Sequence, residues 1–188
     1  MNKLLEADKE LFNLINGLHN DFFDHLMLLI SGNIIWLPFY LWLLYLIYKE
    51  YGKNIVWVLL ATGLLLSLTD RTSVLLFKET FERLRPCHQP GMMENLHLVG
   101  GCGGKFSFIS SHATNTAGVA VFVYRLLPKN RRLTFALLVF VLSVGYSRIY
   151  LGVHYPLDVA GGWIAGGAIG YLLSDIFIRI YRSPDIFK

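Results

Sequence analysis

Five long apolar runs, parted by short basic turns or polar loops, leave this chain few folds to choose from. They cover roughly residues 26–48, 55–77, 112–127, 133–146 and 156–181. A helix needs about 20 apolar residues to cross the hydrocarbon of a bilayer. Only 16% of the chain is charged and 54% is hydrophobic, whereas soluble domains carry about a quarter charged residues. The expected fold is therefore all-α: a single membrane domain over 1–188, a bundle of about five transmembrane helices. Ahead of the first run, Leu4, Leu5, Leu11, Phe12 and Ile15 recur at helical spacing among Glu6, Asp8, Lys9 and Glu10. That pattern predicts an amphipathic helix lying at the membrane interface, and it lacks the basic start and pure apolar core of a signal peptide.

Lysine and arginine sort the connections into two sides. With five spans, Lys49, Lys53, Arg125, Lys129, Arg131, Arg132, Arg179, Arg182 and Lys188 share one side, expected to be cytoplasmic. The N-terminal segment, the 78–109 connection and the 147–155 loop then share the other, facing the periplasm or the outside of an inner membrane. Nothing forms the basic stripe that would bind nucleic acid, and no protein partner is implied. Asp70 and Arg71 fall inside the second run, where charges are costly and pair or face a polar cavity; a structural pair and a role supporting a site both remain open. Gly161, Gly162, Gly166, Gly167 and Gly170 in the last run suit close packing of membrane helices.

Three polar clusters gather on the second side. Lys78 to Pro86 ends the second run, and Ser110-Ser111-His112 opens the third. The stretch from Ser147 to Asp158 joins the fourth run to the fifth. Pro156 is tolerated in the first turn of a helix, so a helix is expected to begin near Tyr155, with His154 and Asp158 four residues apart on one face. A carboxylate so placed holds an imidazole in one tautomer and stabilises its charged form. Arg148 is a fixed cation suited to bidentate phosphate contact. Ser110 is a candidate N-cap whose neighbouring amides suit an anion. Taken singly, such residues could merely cap helices or snorkel at the interface; together they suit a phosphoryl group better than a carbonyl. His19, His25, His88 and His97, and the charged Glu79, Glu82 and Arg83, are read as surface or interface residues.

The three clusters resemble the signature motifs of the type 2 phosphatidic acid phosphatase (PAP2) superfamily, which includes vanadium haloperoxidases. Lys78, six residues, then Arg85-Pro86 matches the first motif; Ser147-Arg148, five residues, His154, three residues, Asp158 matches the third. The second, usually Pro-Ser-Gly-His, reads Ile109-Ser110-Ser111-His112. The resemblance implies that His154 is a nucleophile forming a phosphohistidine, Asp158 its orienting carboxylate, and His112 the acid and then the base. It implies that Lys78, Arg85, Arg148, Ser110 and Ser111 bind phosphate oxygens, with no metal or cofactor. The implied substrate is a lipid phosphate, undecaprenyl pyrophosphate first, with lipid A, phosphatidylglycerophosphate and phosphatidic acid as alternatives. A haloperoxidase and a non-catalytic membrane protein are the distant ones. Cys87 and Cys102 sit in one long loop on the outer face, where an oxidising compartment would favour a disulfide worth about 3 kcal/mol.

Overall fold

A computed structural model describes residues 2–181; Arg182 and Lys188, expected on the basic side, lie outside the described residues. Helix α1 (Asn2–Gly17) precedes α2 (Asp21–Ser31), whose N-cap Asn20 accepts from the Phe23 N–H. Then come α3 (Leu37–Tyr51) and α4 (Ile55–Arg71), which runs through a π-helical stretch at Thr72–Lys78 into the single turn α5 (Glu79–Phe81). The bundle closes with α6 (Ser111–Leu126), α7 (Arg131–Tyr150) and α8 (Pro156–Tyr181). Among the described residues there is no strand, only an isolated bridge between Leu84 and Phe106.

Among the described residues, three stretches are long and apolar enough to cross a membrane: Ile34–Phe81, Arg131–Tyr150 and Pro156–Tyr181. The first folds back on itself at Gly52, whose φ of +55° is open to glycine at little cost. Helix ends show the alternation. At one end Lys78 meets Ser111, the Ser110 N–H meets the Asp158 carbonyl, and Arg148 meets Ser31. At the other, the Tyr51 hydroxyl reaches the Leu126 carbonyl and Asn54 reaches Tyr181. Helix α6 has only 16 residues, eight of them buried. It is the central helix, and its small and polar residues serve packing rather than lipid contact.

Two boundaries differ from expectation. The run at 26–48 is broken, because the Gly32 N–H closes α2 on the Leu28 and Leu29 carbonyls and Pro38 opens α3 at its start. The helix expected to end near Tyr146 continues to Tyr150, so Ser147 and Arg148 stand on its last turn and not in a loop. The amphipathic α1 forms as expected, with Leu4, Leu5, Leu11 and Leu14 exposed. Its inward stripe is Asp8, Phe12 and Asn16, all buried and four residues apart, which is one face of a helix. Asp70 and Arg71 are exposed at the site end of α4.

Glycines set how closely α6 and α8 approach. A Cβ at Gly166 would run into the Thr114 carbonyl, and one at Gly170 into that of Gly118; one at Gly162 would stand 2.8 Å from the Ser110 carbonyl oxygen. These obstacles are backbone and cannot swing aside. Gly166→Ala is therefore expected to lower stability by about 1–3 kcal/mol through overpacking. Gly167→Ala, whose Cβ would meet only Val121 at 3.8 Å, should be neutral or stabilising by up to about 1 kcal/mol. Thermal midpoints of the two variants in detergent check this; equal midpoints would mean that the two backbones do not touch.

Candidate active site

The turn between α7 and α8 is built to bury a histidine. The Val153 and His154 N–H groups both return to the Arg148 carbonyl, at 3.3 and 3.2 Å. Gly152 adopts φ +78°, where a Cβ would also press on the His97 carbonyl, so only glycine fits comfortably. His154 is 1% exposed. Its Nδ1 faces Asp158 Oδ2 at 3.6 Å, an ion-pair distance just outside hydrogen-bond reach, and has no other partner. This leaves Nε2 as the ring atom free to act. Burial pushes the His154 pKa down to about 4, against the upward pull of Asp158, so the imidazole is neutral at pH 7.

Asp158 is fully buried on the first turn of α8. Its Oδ2 also accepts from the Tyr155 N–H at 2.7 Å and from the Ser107 hydroxyl, and its Oδ1 accepts from Arg83 at 2.9 Å. The Asp158 carbonyl in turn accepts from the Ser110 N–H at 2.9 Å, joining the second and third clusters directly. Ser110 is buried and N-caps α6, accepting from Ala113. Ser111, standing where the motif has glycine, takes the Lys78 ammonium at 2.8 Å and shares a hydrogen bond with Ser73 at 2.7 Å. That serine thus positions Lys78, which projects from the π-helical stretch closing α4.

Arg85 is held by the long loop. Its Nη1 donates to the Cys102 carbonyl at 2.6 Å and its Nε to the Phe106 carbonyl at 3.2 Å. Gly103, at φ +74°, leaves no room for a Cβ beside the guanidinium. The Cys87–Cys102 disulfide, with Cα atoms 6.0 Å apart, pins that wrap. Burial lowers the Arg85 pKa, partly offset by Asp158. His97 clamps the same loop to α2 through Asp24 at 2.9 Å, with His19 stacked on its ring; it is a structural clasp rather than a free surface residue.

Lys78, Arg85 and Arg148 lie close enough for each to feel another's charge, and all three reach His112. None of them forms an ion pair among the described residues. Three clustered cations without an anion of their own make a strongly positive pocket beside His154, suited to a dianion. His112, on the first turn of α6, lies on the wall of a cavity of about 530 Å³. Apolar Trp36, Leu66, Phe140 and Val144 line it together with Asn33, Tyr40, Thr62 and Asn115, and the Asn115 Oδ1 is buried without a partner. Among the described residues Cys87, His88 and Cys102 lie close enough together to suggest a metal site, but the two sulfurs are consumed by the disulfide.

All the residues expected at the site thus converge, including the two serines. Arg83, Asp8, Ser107, Ser73 and Asn115 were not expected there. Arg83 lies inside the first motif, yet its charged neighbours Glu79 and Glu82 made the segment read as solvated. For Asp8, the i, i+4, i+8 stripe with Phe12 and Asn16 was the available signal.

The PAP2 superfamily model matches residues 51–182. The chain is 34% identical over 172 residues to a lipid A 4′-phosphatase of Bacteroides thetaiotaomicron, spanning 90% of this chain and 76% of that protein. To the undecaprenyl-diphosphatase BcrC of Bacillus subtilis it is 26% identical, over 93% of this chain and 91% of that one. Its fold matches the crystal structure of a transmembrane PAP2-type phosphatidylglycerolphosphate phosphatase from Bacillus subtilis, with a TM-score of 0.75, 26% identity, and 97% and 90% of the two chains covered. By family model, sequence and fold alike, this chain is an integral membrane protein of the PAP2 superfamily and a phosphoric ester hydrolase.

Proposed function

We propose that this protein is a metal-independent lipid phosphate phosphatase that works through a phosphohistidine on His154. The observation that carries this reading is the cluster of Lys78, Arg85 and Arg148, free of ion pairs among the described residues, around a buried neutral imidazole backed by Asp158. The cations hold the phosphate oxygens and stabilise charge on them in the transition state. His154 Nε2 attacks phosphorus while the bond to the leaving oxygen breaks. Burial and the neighbouring cations hold the His112 pKa down at about 3 before phosphate binds. The phosphate dianion offsets those cations, so His112 takes up a proton and gives it to the leaving oxygen. A water then attacks the phosphohistidine, losing a proton to His112; phosphate leaves and neutral His154 is restored.

The substrate is an amphiphile, whose leaving group occupies the cavity beside His112. Sequence alone ranks undecaprenyl pyrophosphate first. Two observations now favour a phosphorylated glycolipid of the lipid A kind. One is the similarity to the lipid A 4′-phosphatase over most of both chains. The other is the partly polar cavity wall, where Asn33, Tyr40, Thr62 and Asn115 offer hydrogen-bonding groups to sugar hydroxyls and amides, groups that a polyprenyl chain has no use for. Undecaprenyl pyrophosphate stays as the second reading on the strength of the match to BcrC. The basic residues at the far end and the disulfide at the site end favour an inner-membrane protein with its site facing the periplasm.

The test is phosphate release by purified protein in detergent with EDTA, comparing lipid A, undecaprenyl pyrophosphate, phosphatidylglycerophosphate and phosphatidic acid, with His154→Ala as the blank. Release from lipid A should be fastest and indifferent to EDTA. Faster release from undecaprenyl pyrophosphate would reverse the substrate assignment, and loss of release in EDTA would overturn the metal-free chemistry.

A further inference from the structure

The Arg83 guanidinium is engaged on three sides, by Asp158, Asp8 and the Tyr155 ring. Its Nη1 donates to Asp158 Oδ1 at 2.9 Å and its Nη2 to Asp8 Oδ2 at 2.5 Å. Its guanidinium lies 4.1 Å over the Tyr155 ring, and Phe12 of α1 packs on that same ring at 5.3 Å. The Asp8 side chain is 1% exposed, and its other oxygen accepts from the Leu157 N–H at 2.8 Å, in the first turn of α8. A continuous line, Asp8–Arg83–Asp158, therefore runs from the amphipathic α1 to the carboxylate behind His154.

We propose that Asp8 and Arg83 are positioning residues that keep Asp158 ionised and aimed at His154 Nδ1, which makes α1 a working part of the catalytic apparatus; this rests on the reading of His154 as nucleophile. Asp158 is fully buried, and a buried carboxylate without a cation is costly enough to take up a proton or swing away. Arg83 supplies the cation. Arg83 in turn is held in place by Asp8, because a half-buried guanidinium facing a single carboxylate has rotamers to spare. Two aligned anions and an aromatic face leave it one position. Without the pair, Asp158 no longer stabilises the positive imidazole that forms as His154 attacks, a role worth several orders of magnitude in comparable His–Asp pairs. In the proposed reading the phosphate is gripped by Lys78, Arg85 and Arg148 and not by Arg83, whose guanidinium is spent on Asp158 and Asp8. The loss should therefore fall on turnover and not on substrate affinity.

Steady-state kinetics in detergent, on whichever lipid the release assay above finds fastest, tests this. Arg83→Gln is expected to lower kcat about 10- to 100-fold, the usual cost of losing an orienting partner, with KM within about two-fold. Arg83→Lys, which keeps a cation, should recover a substantial part of that loss. Asp8→Asn, nearly isosteric, should lower kcat about three- to ten-fold with KM held, because it acts one step further back. The double variant should be no slower than Arg83→Gln alone, since both act through Asp158. A wild-type kcat in Arg83→Gln, a loss confined to KM, a lysine variant no better than glutamine, or multiplicative losses in the double variant would each overturn the proposal. If Arg83→Gln does not fold, Asp8→Asn decides by the same split of kcat against KM. Activity in His154→Ala would instead sink the underlying reading of the site, and an inactive His154→Ala beside an unaltered Arg83→Gln would sink this proposal alone.

Discussion

His154→Ala is expected to abolish turnover, with a loss of about 10⁴-fold or more. The histidine is more than well placed. Its imidazole is buried, its Nδ1 is committed to Asp158 at 3.6 Å, and its pKa is lowered to about 4, chiefly by burial. At pH 7 the ring is thus neutral, with Nε2 carrying a lone pair. The surrounding cations can raise the charge on phosphorus but cannot form a bond to it. Removing the ring leaves a phosphate-binding pocket with no nucleophile, so the variant should still bind orthovanadate or phosphate while releasing nothing from substrate. The same burial sets the pH dependence. Protonation of free His154 destroys the nucleophile, and because its folded pKa is depressed, that loss comes as pH falls toward about 4 rather than near the ordinary 6.5. The acid limb of kcat/KM should lie correspondingly low. A His154→Ala enzyme within about ten-fold of wild type would remove His154 from the role of nucleophile.

Much of this arrangement was legible because it depends on spacing. His154 and Asp158 are four apart and followed by a helix-starting proline, so their common face follows from helical geometry. The gathering of Lys78, Arg85, His112 and Arg148 at one end follows from counting apolar runs and sorting lysine and arginine. The extent of α7 was not legible: Ser147 and Arg148 are polar, and a hydropathy pattern stops before them although their backbone continues the helix through Ile149 and Tyr150. The break at Gly32–Asn33 was hidden by apolar residues on both sides. Arg83 and Asp8 were invisible for a different reason. Their partners lie 75 and 149 residues away in the chain, and a charged residue that finds a buried partner looks the same in sequence as one that stays in water. The disulfide was legible as two cysteines in one loop. Its consequence was not, because the Cys102 carbonyl, and not the sulfur, is what receives Arg85.

Arg148→Lys is the second large effect, expected to reduce kcat/KM by about 10²- to 10³-fold, the cost of losing a fixed donor to a developing oxyanion. Arg148 stands on the last turn of α7, where either cation satisfies the helix dipole, so the fold has no reason to prefer arginine. The pocket does. One Nη is spent on the Ser31 hydroxyl, and the Nε is buried without any partner. An unpaired buried N–H is costly, and with Nη1 on Ser31 it is Nη2 that is left to reach a phosphate oxygen. Arginine can hold Ser31 with one arm of its planar fork and offer the rest to phosphate; a lysine ammonium is a compact point charge on a flexible stem and cannot do both in fixed geometry. The charge count of the pocket is unchanged in Arg148→Lys. A large loss would therefore measure directed hydrogen bonding rather than net attraction, and weaker inhibition by orthovanadate should accompany it. A loss below about three-fold, with vanadate affinity intact, would mean that Lys78 and Arg85 carry the phosphate by charge alone and that Arg148 serves mainly to hold α2 through Ser31.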